Sequence, residues 1–268
     1  MRTIIWPVTS RPPLRPDRTP AALLVAEIIP RNASVAIVGA GDYVGAAIAR
    51  RFAREGYIVF MGRRNGEKLE PLKAEIEAAG GRAMACTLDA REEDQLTAFI
   101  NQAEAAAPLE VAIFNIGANV NFPLLETTSR VFRKVWELAC FAGFLTAREA
   151  ARVMLPRGHG SIFFTGATAS LRGGSGYAAF ASAKFGNRAV AQAAARELGP
   201  KGIHVAHLII DAGVDTEWVR QRMADAGALA GRKLMNPDSV ADAYWQLHRQ
   251  PDDAWTFETE IRPSTEPW

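Results

Sequence analysis

The chain has 268 residues, 49% of them hydrophobic and 22% charged, an ordinary globular mixture with length for one substantial core or two small ones. A formal net charge of +2 gives no electrostatic ground for a nucleic-acid partner, and no apolar run approaches the roughly 18 residues of a membrane span. No charged stretch leads into an apolar run and a cleavage site, and Cys86 and Cys140 stand apart without metal-ligand spacing, so a reducing, cytoplasmic location is expected.

In chain order, residues 1–32 make a Pro- and Arg-rich arm. Arg2, Arg11, Arg15, Arg18 and Arg31 stand against Asp17 and Glu27, a local +3 that leaves the remainder at −1. Its prolines break any helix or central strand. It reads as a surface-draped arm, with an oligomer clasp or an anion-binding arm as the alternatives.

From residue 33 onward, strand and helix patterns alternate. Ala33–Val38 reads as a short apolar strand and Gly45–Arg54 as an Ala-rich helix closed by Gly56. A second strand, Tyr57–Met61, leads to Gly62-Arg63-Arg64 and an amphipathic helix through Ala79, stopped by Gly80-Gly81. Arg82–Cys86 is a third strand, Glu92–Ala106 a helix ending before Pro108, and Val111–Phe114 a fourth strand. A helical pattern runs from Thr128 to Met154, interrupted near Ala142-Gly143. Ser161–Thr165 is strand five, followed by the loop Arg172–Gly176 and a helix reaching Leu198. His204–Ile210 is strand six, Thr216–Ala226 and Pro237–Gln250 are helical, and Thr256–Ile261 is a candidate edge strand. This alternation predicts an α/β, doubly wound Rossmann fold, with a mostly parallel sheet of about seven strands flanked by helices. It is expected as one domain over residues 33–268, with a substrate lid near 215–235.

The first strand ends in Val38-Gly39-Ala40-Gly41-Asp42-Tyr43-Val44-Gly45. A glycine turn between strand and helix brings backbone N–H groups to a pyrophosphate at the positive end of the helix. Gly39 is expected to make the tight turn, Gly45 to let helix and sheet pack closely, and Asp42 to cap the helix. At the end of the second strand, an acid would accept from free ribose hydroxyls, whereas arginine suits a 2′-phosphate. Here stand Arg63 and Arg64 and no acid, so NADP is favoured over NAD, with Arg63 the better ligand. Asp89 either accepts from the adenine amine or caps the next helix. Asn115 is expected to tie neighbouring strands through its amide, and Gly117 to let the chain pass close to a ribose.

From about residue 33 to residue 250 these features resemble the classical short-chain dehydrogenase/reductase (SDR) family. Gly39, Gly41 and Gly45 match its glycine turn, with Tyr43 replacing the middle glycine. Phe114-Asn115-Ile116-Gly117 matches its Asn-Asn-Ala-Gly segment in part, and Val214 and Thr216 match positions after strand six. The resemblance implies an NAD(P)-dependent oxidoreductase that pairs through the helices at Thr128–Met154 and Tyr177–Leu198 into a homodimer or homotetramer. It also implies a catalytic Tyr four residues before a Lys. Here the lysine is Lys184, but the Tyr, Ser and Asn positions hold Phe180, Ala167 and Ala139. Phe180, the incomplete glycine motif and the ending Glu260-Ile261-Arg262-Pro263 with Glu266-Pro267-Trp268 are similar to a minor subgroup of that family.

Phe180 has no proton to give or take, and Ala167 cannot donate to an oxyanion. Tyr177, a turn before Phe180, is the nearest stand-in acid; Thr165, Thr168 and Asp211 lie at the same sheet edge. His204 and His207, three apart on a strand, point oppositely and read as core-edge residues. Two readings stand side by side: an NADP-dependent oxidoreductase acting on a small carbonyl or alcohol, or a catalytically silent NADP-binding scaffold or sensor. No metal, nucleic-acid or membrane partner is expected.

Overall fold

Each expected strand forms in the computed structural model, which describes residues 28–225, 227 and 233–266. Most of the N-terminal arm, residues 226 and 228–232 of the expected lid, and Pro267-Trp268 lie outside the described residues. The strands are β1 (Ser34–Val38), β2 (Ile58–Arg63), β3 (Arg82–Thr87), β4 (Leu109–Phe114), β5 (Gly160–Ala167), β6 (Ile203–Ile210) and β7 (Glu258–Ile261). They form one seven-stranded sheet in the order β3-β2-β1-β4-β5-β6-β7. Every pairing in it is parallel. β5 outruns its apolar core, Ser161–Thr165, because all eight of its residues pair with β6. A parallel ladder is made by backbone groups and accepts Gly166 as readily as Phe164.

The helices are α1 (Val44–Arg54), α2 (Glu70–Ala78), α3 (Glu93–Ala106), α4 (Ser129–Trp136), α5 (Ala142–Met154), α6 (Ala178–Leu198), α7 (Glu217–Asp225) and α8 (Pro237–His248). Alternate strand residues face opposite layers. Val35, Ile37, Ile113 and Leu208 pack with α1, α2 and α8, whereas Ala36, Val38, Phe114 and Val205 pack with α3, α5 and α6. The two-sided cover explains why β1 and β6 are buried throughout. The expected break near Ala142-Gly143 lies one turn earlier, as a π turn over Glu137–Phe141. Gly143 itself is helical, and a Cβ there would stand 2.2 Å from Asn187 Oδ1, so close approach of α6 and not a bend accounts for this glycine.

His204 and His207 lie on opposite faces of β6 as expected, but both are buried within the core and not at its edge. His207 Nδ1 bonds Glu258, itself held by Arg188, while His204 Nε2 bonds the Thr256 carbonyl and its ring stacks on Trp255. The polar strand β7 supplies Glu258 and the residues just before it supply Trp255 and Thr256, partners that a reading of β6 alone does not include.

Candidate active site

The carboxyl ends of β1, β4, β5 and β6 meet at one edge of the sheet. After β1, Gly39 adopts φ +96°, and a Cβ there would lie 2.8 Å from Ile116 Cγ1 and 3.0 Å from the Asn115 carbonyl. A Cβ on Gly45 would stand 2.7 Å from Ala40 Cα, whereas one on Gly41 would meet nothing within 4 Å. The turn is closed at both ends and open in the middle, the shape that lets a phosphate approach the backbone. Tyr43 takes the N-cap position of α1, and its partly exposed hydroxyl accepts from the Glu217 amide at 3.4 Å. Asp42 therefore sits one residue too early to cap and does not do so; its Oδ1 accepts from Arg63 Nη1 at 2.6 Å.

Arg63, Arg64, Leu88, Asp89, Gly39 and Gly117 line a hollow of about 310 Å³. Asp89 does not cap α3, whose N-cap is Glu92. Its carboxylate accepts from Arg91 Nε at 2.9 Å, Nη2 at 2.5 Å and the Arg91 amide at 3.2 Å. Those bonds hold Asp89 below the ordinary carboxylate range.

A directed chain of hydrogen bonds underlies this half of the edge. Asn115 Nδ2 donates to the Gly39 carbonyl at 3.0 Å, and its Oδ1 accepts from the Thr165 hydroxyl at 3.0 Å. With its proton so used, Thr165 accepts from the Tyr244 hydroxyl at 2.7 Å. Asn115 thus ties β1 to β5, as the sequence suggests. Tyr244 lies 79 residues from Thr165 and carries no local signal of that role. Lys184 is 2% exposed, and its Nζ donates to the Thr165 carbonyl at 2.9 Å and the Ile116 carbonyl at 3.1 Å. Burial pushes its pKa down to about 8. Two of its three N–H groups therefore bind the scaffold, and the third has no hydrogen-bond partner among the described residues. Val214 bridges Met235, and the Thr216 hydroxyl accepts from the Val219 amide, so both shape the chain after β6.

The neighbouring half of the edge is apolar. Phe180, Ala139, Cys140 and Ala183 belong to one buried cluster, with Ala167 and Tyr177 packed against it. Above it, Tyr177, Phe180, Ala167, Thr168, Arg172 and Asn119 line a second hollow of about 370 Å³. Tyr177 precedes the first residue of α6, and no hydrogen bond engages its hydroxyl among the described residues. The Thr168 hydroxyl donates to Asp211, which Arg262 and, at 3.5 Å, Arg172 also engage. Asp211 is thus an ion-paired wall behind the hollow, and neither it nor Arg262 shows this in local sequence. The segment Ile116–Asn119 contributes to both hollows, since Gly117 and Ala118 line the first and Asn119 the second.

Among the described residues no group of three or more His, Cys, Asp or Glu could hold a metal, and no helix is long and apolar enough to cross a membrane. Residues 33–227 match the family described as short chain dehydrogenase. A short-chain dehydrogenase from Rhodopseudomonas palustris, seen in a crystal structure, is 67% identical with a TM-score of 0.77, covering 87% of this chain and 100% of that one. A metagenomic short-chain oxidoreductase in complex with NADP is 27% identical with a TM-score of 0.73, covering 86% of this chain and 97% of that one. The 1-deoxy-11-beta-hydroxypentalenate dehydrogenase of Streptomyces exfoliatus is 28% identical over 252 residues, 86% of this chain and 91% of that protein. Two other curated relatives are longer proteins, of which the chain spans 19% and 31%. With the matched segment reaching from β1 past β6, and the sheet order and glycine turn already in place, the chain belongs to the short-chain dehydrogenase family.

Proposed function

We propose that the chain is an NADP(H)-dependent oxidoreductase acting on a small carbonyl or alcohol. The observation that carries this reading is that one chain segment, Ile116–Asn119, contributes to the walls of both hollows, the first bearing Arg63 and Arg64 and the second Tyr177 and Thr168. The residues fit a nicotinamide dinucleotide: the Gly39–Gly45 turn takes the pyrophosphate, Asn115 and Gly117 border the riboses, and Lys184 extends its remaining N–H. Val214 and Thr216 border the nicotinamide end. When bound, the cofactor supplies or accepts a hydride. Tyr177 would deliver the proton to the carbonyl oxygen in reduction and take the hydroxyl proton in oxidation, in the place of the phenol that Phe180 lacks. Titration with NADPH and NADH, followed by a carbonyl panel on the same sample, tests it. Tighter NADPH binding that weakens on Arg63→Ala is expected, with about 1–3 kcal/mol lost, as for a charge-assisted hydrogen bond.

One observation favours the silent scaffold or sensor reading. The positions of the family's catalytic Tyr and Asn lie in a single apolar cluster, with that of its Ser packed against it. A protein that binds NADPH well yet reduces nothing on a broad panel would decide for it.

The chain pairs, in our reading, with a second copy through α5 and α6. Phe144, Ala147, Ala151, Val190 and Ala194 line an apolar groove there, and Trp136, Phe144 and Phe185 are each about 40% exposed. Sedimentation at micromolar concentration should show a species above 29.1 kDa.

A further inference from the structure

Within the cleft, the guanidinium best placed for a cofactor phosphate already has a counterion from the phosphate-binding turn itself. Arg63 Nη1 lies 2.6 Å from Asp42 Oδ1, and the two side chains are 21% and 67% exposed. The acid that lines this hollow, Asp89, is held by three hydrogen bonds from Arg91, whereas Asp42 reaches the lining residue Arg63 from the turn. Asp42 has no second partner among the described residues, and it follows Gly41, beside which a Cβ would meet nothing. Arg64 lines the same hollow and carries no ion pair among the described residues.

We propose that Asp42 is a cofactor-specificity residue, its carboxylate holding the anion position of Arg63 so that a 2′-phosphate must displace it. The proposal rests on the reading of this cleft as a nicotinamide-dinucleotide site. An exposed carboxylate brings one charge and two oxygens to the guanidinium. A phosphate monoester brings nearly two charges and three acceptor oxygens, so it wins the exchange but binds less tightly than to an unpaired arginine. A ribose with free hydroxyls makes no such demand and leaves the Asp42–Arg63 pair closed. Asp42 therefore narrows the gap between NADPH and NADH that Arg63 and Arg64 would otherwise open. The exposure of Asp42 is what makes the exchange cheap. A buried acid, such as Asp211 behind Thr168, could not swing away from its arginines without leaving charges unpaired in the interior.

The test uses the full chain and calorimetric titration with 2′,5′-ADP, which carries the 2′-phosphate, and 5′-AMP, which does not. Asp42→Asn should tighten 2′,5′-ADP by about tenfold, the scale of one charge-assisted contact, and leave 5′-AMP within about twofold. In an Arg63→Ala background the same substitution should have no effect on 2′,5′-ADP, since the competed site is gone. Asp42→Ala should repeat the Asn result, and a thermal melt of each variant checks that it is folded. Unchanged 2′,5′-ADP affinity in both folded Asp42 variants would overturn the proposal while leaving the cofactor reading intact. A selective weakening of 5′-AMP would also overturn it, identifying Asp42 as an acceptor for ribose hydroxyls. If the parent and both Asp42 variants bind neither nucleotide nor NADPH, the cofactor reading and this proposal fall together.

Discussion

Two neighbouring stretches of one sheet edge have been built by opposite means. Around the ends of β1 and β4, polar groups are linked in sequence: Tyr244 to Thr165, Thr165 to Asn115, Asn115 to the Gly39 carbonyl, with Lys184 holding two further carbonyls. Around the start of α6, the corresponding floor is Phe180 against Ala139, Cys140 and Ala183. The first stretch keeps its polar residues because each satisfies a buried backbone or side-chain group, so its loss would be felt in the fold. The second is held by apolar packing, which asks no hydrogen-bonding group of Phe180, Ala167 or Ala139. Residues shared with a catalytic family are therefore no proof of catalysis when, as for Lys184 and Asn115, the structure gives them a supporting job.

Acid should destabilise the scaffold through its buried histidines. Burial pushes His207 and His248 down to about 4, the first opposed by its bond to Glu258, the second helped by the charges of His159 and Arg31. Unfolded, each returns to about 6.5, so between these values the unfolded chain binds more protons. Their stabilisation is fully present above pH 6.5 and is lost as the pH falls towards 4, by up to about 3 kcal/mol apiece. Urea unfolding at several pH values would read this slope, and a stability flat from pH 7 to 4.5 would contradict it.

Lys184→Met keeps the length of the side chain but deprives the Thr165 and Ile116 carbonyls of their donor. About 2–4 kcal/mol of stability should go, measurable by denaturant midpoint. A stability unchanged by this substitution would break the comparison, returning Lys184 to a purely catalytic or cofactor role. Tyr177→Phe should lower turnover by about 10²-fold, near 2.7 kcal/mol of barrier, without shifting the melting temperature, because the hydroxyl bonds nothing among the described residues. Turnover that survives it would remove Tyr177 from the mechanism. The smallest effect is expected at Tyr244→Phe, which takes away the donor to Thr165 and should cost about 1 kcal/mol while leaving the Asn115 bond to Gly39 in place.

Local pattern settled more of the fold than of the site. The strands up to β6 and the alternation of layers follow from apolar runs separated by Gly, Pro and charged helices, while the polar β7 was legible only as a candidate edge strand. Gly39 and Gly45 were legible for a similar reason, a strand-to-helix reversal being a local event that only a missing Cβ permits. That Phe180, Ala167 and Ala139 stand where the resemblance implies Tyr, Ser and Asn is likewise a reading of sequence alone. What tertiary structure decided are the partners. Asp42 reads as a helix cap until β2 brings Arg63 beside it. Asp211 gains Arg262 from beyond β7, and His207 gains Glu258 from β7 itself. Hydrogen bonds and ion pairs act over about 3 Å, so the chain must be folded before it is known which of many possible donors arrives within reach.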